Sequence, residues 1–508
     1  MVEILTSAQM RAVECAAIDS GAATGLELME CAGRSAAAAM LEYWGLDDES
    51  SGTALILCGP GNNGGDGFVV ARVLAARGWA VTVGLWGDAA KLPPDARENH
   101  DRWAQTGIVH PLSPDLLAAA GPDTFVIDAL FGTGLTRPLS GGLAGMAGQL
   151  QGMSPRGCVA LDAPSGLCLD SGRVLGAVFP ADLTITFHRA KLGHYLGQGP
   201  ECCGRLTVVD IGLQSTAPTV CGGAVLLDQS VARDVNKTAA RHKYSYGHAL
   251  VLASGVGKGG AARLAARAAL RIGAGVVTLG CPPAALQENA CRLDAVMLRA
   301  MRGADDLTWA LADARVNALC VGPAGGLDAR AAEMLRAALE ARRPIVLDAD
   351  ALTLLAQGAV TFGALRQDVV LTPHAGEFAR VFPDIAACLH DAPVRGPAYS
   401  KRDATCDAAA RAGCVVVFKG PDTTIATPDG RCAINAACYD QAAPWLATAG
   451  AGDVLAGMIA GLLARGFPAF DAACAGTWLH SQTARHFGPG LIAEDLPDTL
   501  PRTLRALG

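Results

Sequence analysis

Aromatic side chains are scarce in this chain, at 5% of 508 residues. A core without them must be filled by small and branched aliphatic groups, and the 51% hydrophobic content is mostly Ala, Val and Leu. Such residues suit helices packed closely over a sheet whose strands are buried on both faces. The cysteines lack any grouping. All 17 are scattered, with no CxxC pair and no Cys/His set at zinc spacing. That speaks against a disulfide or zinc framework and predicts reduced thiols in a cytoplasmic protein. Basic charge is not in excess either. A net charge of -7 argues against a nucleic-acid binder. It leaves backbone anion sites open, since a loop binds phosphate without side-chain charge. No basic stretch followed by an apolar one opens the chain, so no secretory signal is expected. No apolar run reaches the roughly 18 residues of a membrane span.

What is present is alternation. At roughly 100–200 residues per domain, the length predicts two to four domains. Short β-branched runs at 54–58, 80–85, 125–128, 159–162, 183–187 and 206–211 are separated by Ala-rich helical stretches. One of these, 68–77, stops at Gly78. Such a series implies parallel βαβ units. Segment 214–223 (QSTAPTVCGG) has no period and is read as the domain boundary. A second series follows, with strands expected at 249–253, 276–279, 318–321, 345–348, 369–372, 415–418 and 423–427. The halves are not copies of each other, so two different α/β domains are expected.

Strand 54–58 runs into Gly59-Pro-Gly-Asn-Asn-Gly-Gly-Asp66-Gly67, with a helix after it. A glycine-rich turn there lets the backbone approach a ligand and aims helix N-terminal amides at an anion. It is neither GxGxxG nor a Walker loop. A tight structural turn would explain the glycines alone; two Asn and an Asp inside it add side-chain oxygens for a ligand. Asp128 and Asp162 close two later runs. Singly, each reads as a cap or turn residue. Three acids beyond the carboxyl ends of neighbouring parallel strands point to a site.

In the second half, Ala447-Thr-Ala-Gly450-Ala-Gly452-Asp453 precedes an apolar helical run. Its amides can form an anion hole for a transferring phosphoryl group, and Asp453 can take a proton from an acceptor hydroxyl. The bland alternative is a capping Asp after a flexible loop. The turn Phe418-Lys419-Gly420-Pro-Asp-Thr-Thr424 joins two strands, and Leu371-Thr-Pro-His374-Ala-Gly-Glu377 ends another. Alone, such a His is more often a structural hydrogen-bonder and such a Lys a solvated one.

The ordered set Leu5-Thr-Ser-Ala-Gln-Met10, Leu28-Met-Glu-Cys-Ala-Gly33, the NNGGDGFV stretch, 128–134, Asp162-Ala-Pro-Ser-Gly166 and Val209-Asp-Ile-Gly212 resembles the NAD(P)H-hydrate epimerase domain across residues 1–215. The resemblance implies a Rossmann-like three-layer αβα sandwich. It implies hydrate contacts from Asn62, Asn63, Gly64, Gly65 and Asp66, from Gly132, Thr133, Gly134, Leu135, Thr136, Arg137 and Pro138, and from Asp162. It also implies a potassium ion at Asn63, Asp128 and Ser165. The implied reaction inverts C6 of the hydrated nicotinamide ring. Asp162 is the favoured proton shuttle and Asp66 its rival.

The second set, together with Lys243–Gly247, 269–278, Gly322-Pro and Leu347-Asp-Ala-Asp-Ala-Leu352, resembles the ribokinase-like ADP-dependent NAD(P)H-hydrate dehydratase across residues 226–505. That resemblance implies a second αβα domain. It places Lys419, Gly420, Pro421, Asp422 and Thr423 on the adenine nucleotide, with Gly450 and Gly452 near its phosphates. Ala261, Gly325, His374 and Asp453 would contact the hydrate. Asp453 would activate the substrate hydroxyl toward ADP, giving NAD(P)H, AMP and phosphate, with magnesium bridging the phosphates. The implied substrates are NADHX, NADPHX and ADP, handled by a homo-oligomer without nucleic acid or membrane partners. Three places depart from the family pattern: Ala324, where GPGLG has Gly; Ala449, where ATGG has Gly; and the loop Ser254–Gly260, which lacks the usual Tyr-Thr before Gly-Ala. The alternative reading is a kinase of a vitamin-precursor alcohol carrying a non-catalytic N-terminal ligand-binding domain.

Overall fold

The computed structural model of the chain describes residues 1–47, 49–213, 223–238 and 242–507. The chain divides into two compact units. The N-terminal unit is Glu3–Ala224 with Ala392–Ser400; the C-terminal unit is Met1–Val2, Val225–Asp391 and Lys401–Gly508. Neither of the two small exchanged segments is marked by any change of composition or pattern. The expected boundary segment 214–223 lies outside the described residues except for Gly223.

In the N-terminal unit, seven strands run in the order Val109–Pro111, Ala80–Leu85, Thr53–Cys58, Thr124–Ala129, Gly157–Leu161, Leu183–Phe187 and Arg205–Val209. Every pairing is parallel. Side chains alternate across a strand, and both faces are covered. Ala54, Ile56 and Cys58 join a core with helices α1 (Ser7–Asp19), α2 (Gly25–Tyr43) and α3 (Asn62–Ala76). Leu55 and Leu57 join a second core with the helices Pro114–Ala118 and Gly141–Gln151. This is the three-layer arrangement, and it explains why the central strands read as unbroken apolar runs.

One expectation needs correcting. The helix begins at Asn62, not at 68, so Asn62 to Asp66 form its first turns and are not a loop before it. The glycines there are needed for packing: a Cβ on Gly64 would lie 2.1 Å from the Gly59 carbonyl oxygen, and one on Gly65 2.4 Å from Met29 Sδ.

In the C-terminal unit, starting from Ala224–Leu226, the strand order is Cys432–Ala436, Asp422–Ala426, Val415–Phe418, Val369–Leu371, Ile345–Leu347, Val316–Val321, His248–Leu252, Val276–Cys281 and Met297–Ala300. The pairings from Val415–Phe418 to Met297–Ala300 are parallel, while Val415–Phe418, Asp422–Ala426 and Cys432–Ala436 form an antiparallel meander. Strands Val109–Pro111, Ala224–Leu226, Met297–Ala300 and Cys432–Ala436 escaped the sequence pattern. The first three are short, with largely half-buried or exposed side chains, so they leave no apolar run.

The aromatic-poor composition is used where the helices Gly260–Arg271 and Ala451–Ala464 touch. A Cβ on Gly457 would meet the Ala265 carbonyl oxygen at 2.1 Å, and one on Gly461 the Ala269 carbonyl oxygen at 2.6 Å. Every cysteine described is a free thiol. Among the described residues, no helix is long and apolar enough to cross a membrane.

Candidate active sites

The N-terminal unit holds a cavity of about 530 Å³ beyond the carboxyl ends of its central strands. Asn62, Asn63, Asp66, Gly132, Thr133, Gly134 and Asp162 line it. So do Lys191, Arg11 and Glu14, which sequence reading had not chosen. Leu135, Thr136, Arg137 and Pro138 are not among the lining residues.

Asp162 follows the strand Gly157–Leu161 in a left-handed conformation, with φ +62°. The Ala163 amide donates to the Leu161 carbonyl at 2.8 Å, making a γ-turn that throws the carboxylate off the strand end. Both of its oxygens are engaged. Oδ1 accepts from Lys191 Nζ at 2.8 Å and Thr186 Oγ1 at 2.9 Å, and Oδ2 accepts from the Thr133 amide at 2.9 Å. Burial, the largest effect, would raise its pKa, but the charge and hydrogen bond of Lys191, joined by His194 and Thr186, together hold the carboxyl below the usual range. Lys191 is 1% exposed and donates also to Thr186 Oγ1 and the Phe187 carbonyl. Its own amide donates to His194 Nδ1, which leaves the His194 Nε2–H for the Asp162 carbonyl at 2.9 Å. Burial and the Lys191 charge push His194 down to about 4, so the ring is neutral. A Cβ on Gly132 would lie 2.5 Å from Asp162 Oδ2, so the 132–138 loop can close over this carboxylate only with glycine there.

Asp66 is the opposite case. No described residue donates to its carboxylate, and burial, Asp162 and Glu14 raise its pKa well above the ordinary value. Asp128 sits inside the strand Thr124–Ala129, not at its end, and does not line the cavity. It ties the strand to the 165 turn: Ser165 Oγ donates to Oδ1 at 2.7 Å and the Ser165 amide to Oδ2 at 2.7 Å. Burial still pushes it up to about 6 against these bonds. Asn63 Nδ2 is buried without a partner. Turned about χ2, that amide presents a free oxygen acceptor, and a carboxyl raised by burial is one a cation would restore to its charged form. Asn63, Asp128 and Ser165 offer oxygens of the kind a hard cation takes.

In the C-terminal unit, three neighbouring strand ends deliver one cluster. Leu347 pairs with Leu371 and Leu371 with Val416, so Asp348 and Thr372 emerge at one level, and Lys419 follows the next strand two residues further on. Lys419 Nζ donates to Asp348 Oδ1 at 2.8 Å and lies 3.8 Å from Glu377 Oε2; Thr372 Oγ1 donates to Asp348 at 2.8 Å. Burial lowers the Lys419 pKa, but Asp348 and Glu377 reverse this, so it stays charged. A Cβ on Gly452 would come 3.2 Å from Lys419 Nζ.

The helix Ala451–Ala464 starts at Gly450, whose φ of +91° is left-handed. The amides of Gly452 and Asp453 have no acceptor among the described residues. Asp453 is half-buried in the first turn, and burial followed by the Asp348 charge pushes it up to about 7. Ala449, a departure from the family pattern, is exposed. Ala324 has φ +51°, the region that suits the glycine it replaces.

The turn after Val415–Phe418 is built as a cradle. Gly420 N donates to Thr423 Oγ1 at 3.1 Å, and Thr423 Oγ1 donates to the Gly420 carbonyl at 2.7 Å. Lys401, unmarked in sequence, donates to Asp422 Oδ1 at 2.6 Å and the Lys419 carbonyl at 3.3 Å. Asp422 is thus a positioning group for the turn. His374 is exposed, and its Nδ1 accepts the Gly376 amide at 3.0 Å, capping the helix Ala375–Val381. That is the structural role a lone His often has, and its Nε2 lies 3.5 Å from Glu377 Oε1. Gly325 lines a separate small recess with Gly322 and Gly326, and Ala261 is half-buried near the start of the helix Gly260–Arg271.

Comparison with known proteins agrees with this two-site picture. A family described as NAD(P)H-hydrate dehydratase matches residues 249–504, and one described as YjeF-related protein N-terminus matches residues 25–193. The bifunctional NAD(P)H-hydrate repair enzyme of Coxiella burnetii is 34% identical over 506 residues, covering 98% of this chain and 98% of its own. The NAD(P)H-hydrate epimerase of Rhodobacter capsulatus is 51% identical over 203 residues, covering 38% of this chain and 92% of its own. Among solved structures, the Bacillus subtilis ADP/ATP-dependent NAD(P)H-hydrate dehydratase co-crystallised with ATP/Mg2+ aligns with 56% of this chain and 99% of its own, at 28% identity and a TM-score of 0.47. With relatives similar from end to end and each unit carrying its own polar centre, the chain belongs to the bifunctional NAD(P)H-hydrate repair enzyme family.

Proposed function

We propose that the N-terminal unit interconverts the R and S forms of NAD(P)H hydrate and that the C-terminal unit dehydrates the S form to NAD(P)H with ADP. The observation that carries the second half is the pairing of two unengaged amides, Gly452 and Asp453, with the Lys419 ammonium and a carboxyl poised near neutrality. Amides and ammonium stabilise charge building on a migrating phosphoryl group. Asp453 takes the proton of the C6 hydroxyl as that oxygen attacks the β-phosphorus of ADP and AMP leaves. Phosphate then departs with the C6–O electron pair, the ring nitrogen supplies electrons, and loss of a C5 proton restores the double bond. Lys419, Gly420, Pro421, Asp422 and Thr423 hold the nucleotide; Ala261, Gly325 and His374 hold the hydrate. Among the described residues, no three His, Cys, Asp or Glu side chains form a metal cage. Magnesium would enter with the nucleotide and offset the charge of its phosphates.

For epimerisation, the bonding of Asp162 reverses the preference drawn from sequence. A carboxylate pinned by Lys191, Thr186 and Thr133 and held below its usual pKa is a poor proton shuttle. Asp66, unpaired and raised, suits the task, and Asp162 orients the 132–138 loop. Potassium held by Asn63, Asp128 and Ser165 would supply fixed positive charge behind the substrate-binding turn.

The test supplies purified R or S hydrate with ADP and follows the reduced-nicotinamide absorbance. Recovery from both forms is expected. Recovery from S alone would remove the epimerase half, and no recovery from either would remove both.

A further inference from the structure

Helix α1 is a part of the N-terminal unit that the roles above leave without a task. Its capping box at Thr6 and Gln9 fixes its start, and the Ser7 amide donates to Asp170 Oδ1 at 2.7 Å. One face, Met10, Arg11, Glu14 and Ile18, borders the cavity. That spacing of three and four residues is one side of a helix. Arg11 is committed: its Nη1 donates to the Thr133 carbonyl at 3.0 Å, holding the helix to the glycine loop.

Glu14 is not committed. It is half-buried, and no described residue donates a hydrogen bond to its carboxylate. A carboxyl partly removed from water without a partner is costly unless something else uses it. The charged groups around it are Asp162, Lys191 and Arg11, and Asp66 feels its charge in turn. Burial and Asp162 raise the Glu14 pKa, while Lys191 and Arg11 offset them in part. Four carboxyls line the cavity, Glu14, Asp66, Asp95 and Asp162, and Glu14 shares its helix face with Arg11, which ties that helix to the glycine loop. Asp162 is neutralised by Lys191; Asp66, on α3, and Glu14, on α1, are both unpaired.

Inversion at C6 gives an unpaired pair of this kind something to do. The hydroxyl leaves one face of the ring and returns to the other, and a single carboxyl fixed on one wall reaches only one face. We propose that Glu14 is a second catalytic carboxyl of the N-terminal site, acting with Asp66 as the acid–base pair that removes and re-adds the C6 hydroxyl. This rests on the epimerase reading above. In one direction, the protonated member gives its proton to the C6 oxygen, the C6–O bond breaks, and water leaves with the bonding pair. The ring nitrogen lone pair fills the vacancy as N1=C6. Water adds to the opposite face, and the ionised member takes the proton it sheds. One proton has moved from one carboxyl to the other, and the reverse epimerisation runs with the roles exchanged.

The test uses the full-length protein. Glu14→Gln is expected to slow epimerisation in both directions by roughly a hundredfold, chiefly in kcat, with KM for the hydrate little changed. Dehydration of the S form, measured on the same sample, stays at the wild-type rate and shows that the C-terminal unit is intact. Glu14→Asp keeps a carboxyl and is expected to restore part of the rate with a displaced pH profile. In water labelled with heavy oxygen, the wild-type epimerised product is expected to carry solvent oxygen at C6 faster than the uncatalysed exchange. The proposal is overturned if Glu14→Gln epimerises within about threefold of wild type. It is also overturned if the wild-type product retains its original oxygen, a measurement that stands even if the variant fails to fold. If the wild-type chain does not epimerise at all, the failure belongs to the epimerase reading itself.

Discussion

The proton-accepting role of Asp453 has a pH signature that can be worked out in advance. A carboxyl raised to about 7 is mostly protonated in mildly acidic solution. At pH 6 only ~10% is ionised, and the fraction falls about tenfold for each further pH unit. At saturating ADP the kcat/KM for the S hydrate reports the enzyme–ADP complex before the hydrate binds, and it should therefore rise with pH and level off above neutrality. Phosphate groups on the nucleotide titrate nearby, at about 6, so one profile does not identify the group. Substitutions do. Burial is the largest cause of the raised value and the Asp348 charge the next, so Asp348→Asn should move the limb to lower pH. Lys419 lowers it, so Lys419→Met should move the limb up. Because Lys419 also holds the nucleotide, a phosphate titration would move with Lys419→Met as well, but it would survive Asp453→Asn. Asp453→Asn should abolish the limb and lose at least roughly a hundredfold in dehydration, with epimerisation intact. The assay is recovery of reduced-nicotinamide absorbance at saturating ADP between about pH 5 and 9. A limb near 4, the ordinary carboxylate range, or one that ignores Asp348→Asn, refutes the assignment.

Three other expectations concern single contacts. Lys191→Met leaves Asp162 buried without its cation and should destabilise the N-terminal unit by about 3–5 kcal/mol; hydrogen exchange of that unit reads it, and adding Asp162→Asn should recover much of the loss. Because the folded Asp162 pKa lies below its unfolded value, the wild-type contribution is complete above about pH 4 and fades as pH falls through the depressed value. Gly457→Ala places a methyl group on the Ala265 carbonyl and should cost about 1–3 kcal/mol of C-terminal unit stability, measured by denaturant unfolding. Replacing potassium by a larger organic cation should slow epimerisation and leave dehydration unchanged, and Asn63→Ala should remove the difference between the two salts.

Much of the site was legible because backbone demands leave marks in sequence. Gly132 must be glycine to approach Asp162, and Gly450 must be left-handed to begin the helix Ala451–Ala464. Asp162, Lys419 and Asp453 stand at strand or helix ends, where an acid or a lysine breaks an apolar pattern. Lys191 and Lys401 left no such mark. Each acts through a partner distant in sequence, Asp162 in one case and Asp422 in the other. Nothing in the sequence around Glu14 separates it from other polar helix positions. The start of α3 was misjudged for a related reason: glycines that read as a loop are helical residues made small by Met29 and the Gly59 carbonyl.

Sequence alone settled the layered α/β architecture, the two-part organisation and the glycine–acid motifs. Periodicity and the steric needs of turns are local, and each segment carries its own record of them. Tertiary structure alone decided which acids are paired, which strand partners run antiparallel, and that 392–400 packs with the N-terminal unit. Those outcomes depend on burial and on charges brought together from far along the chain, and both exist only once the chain has folded.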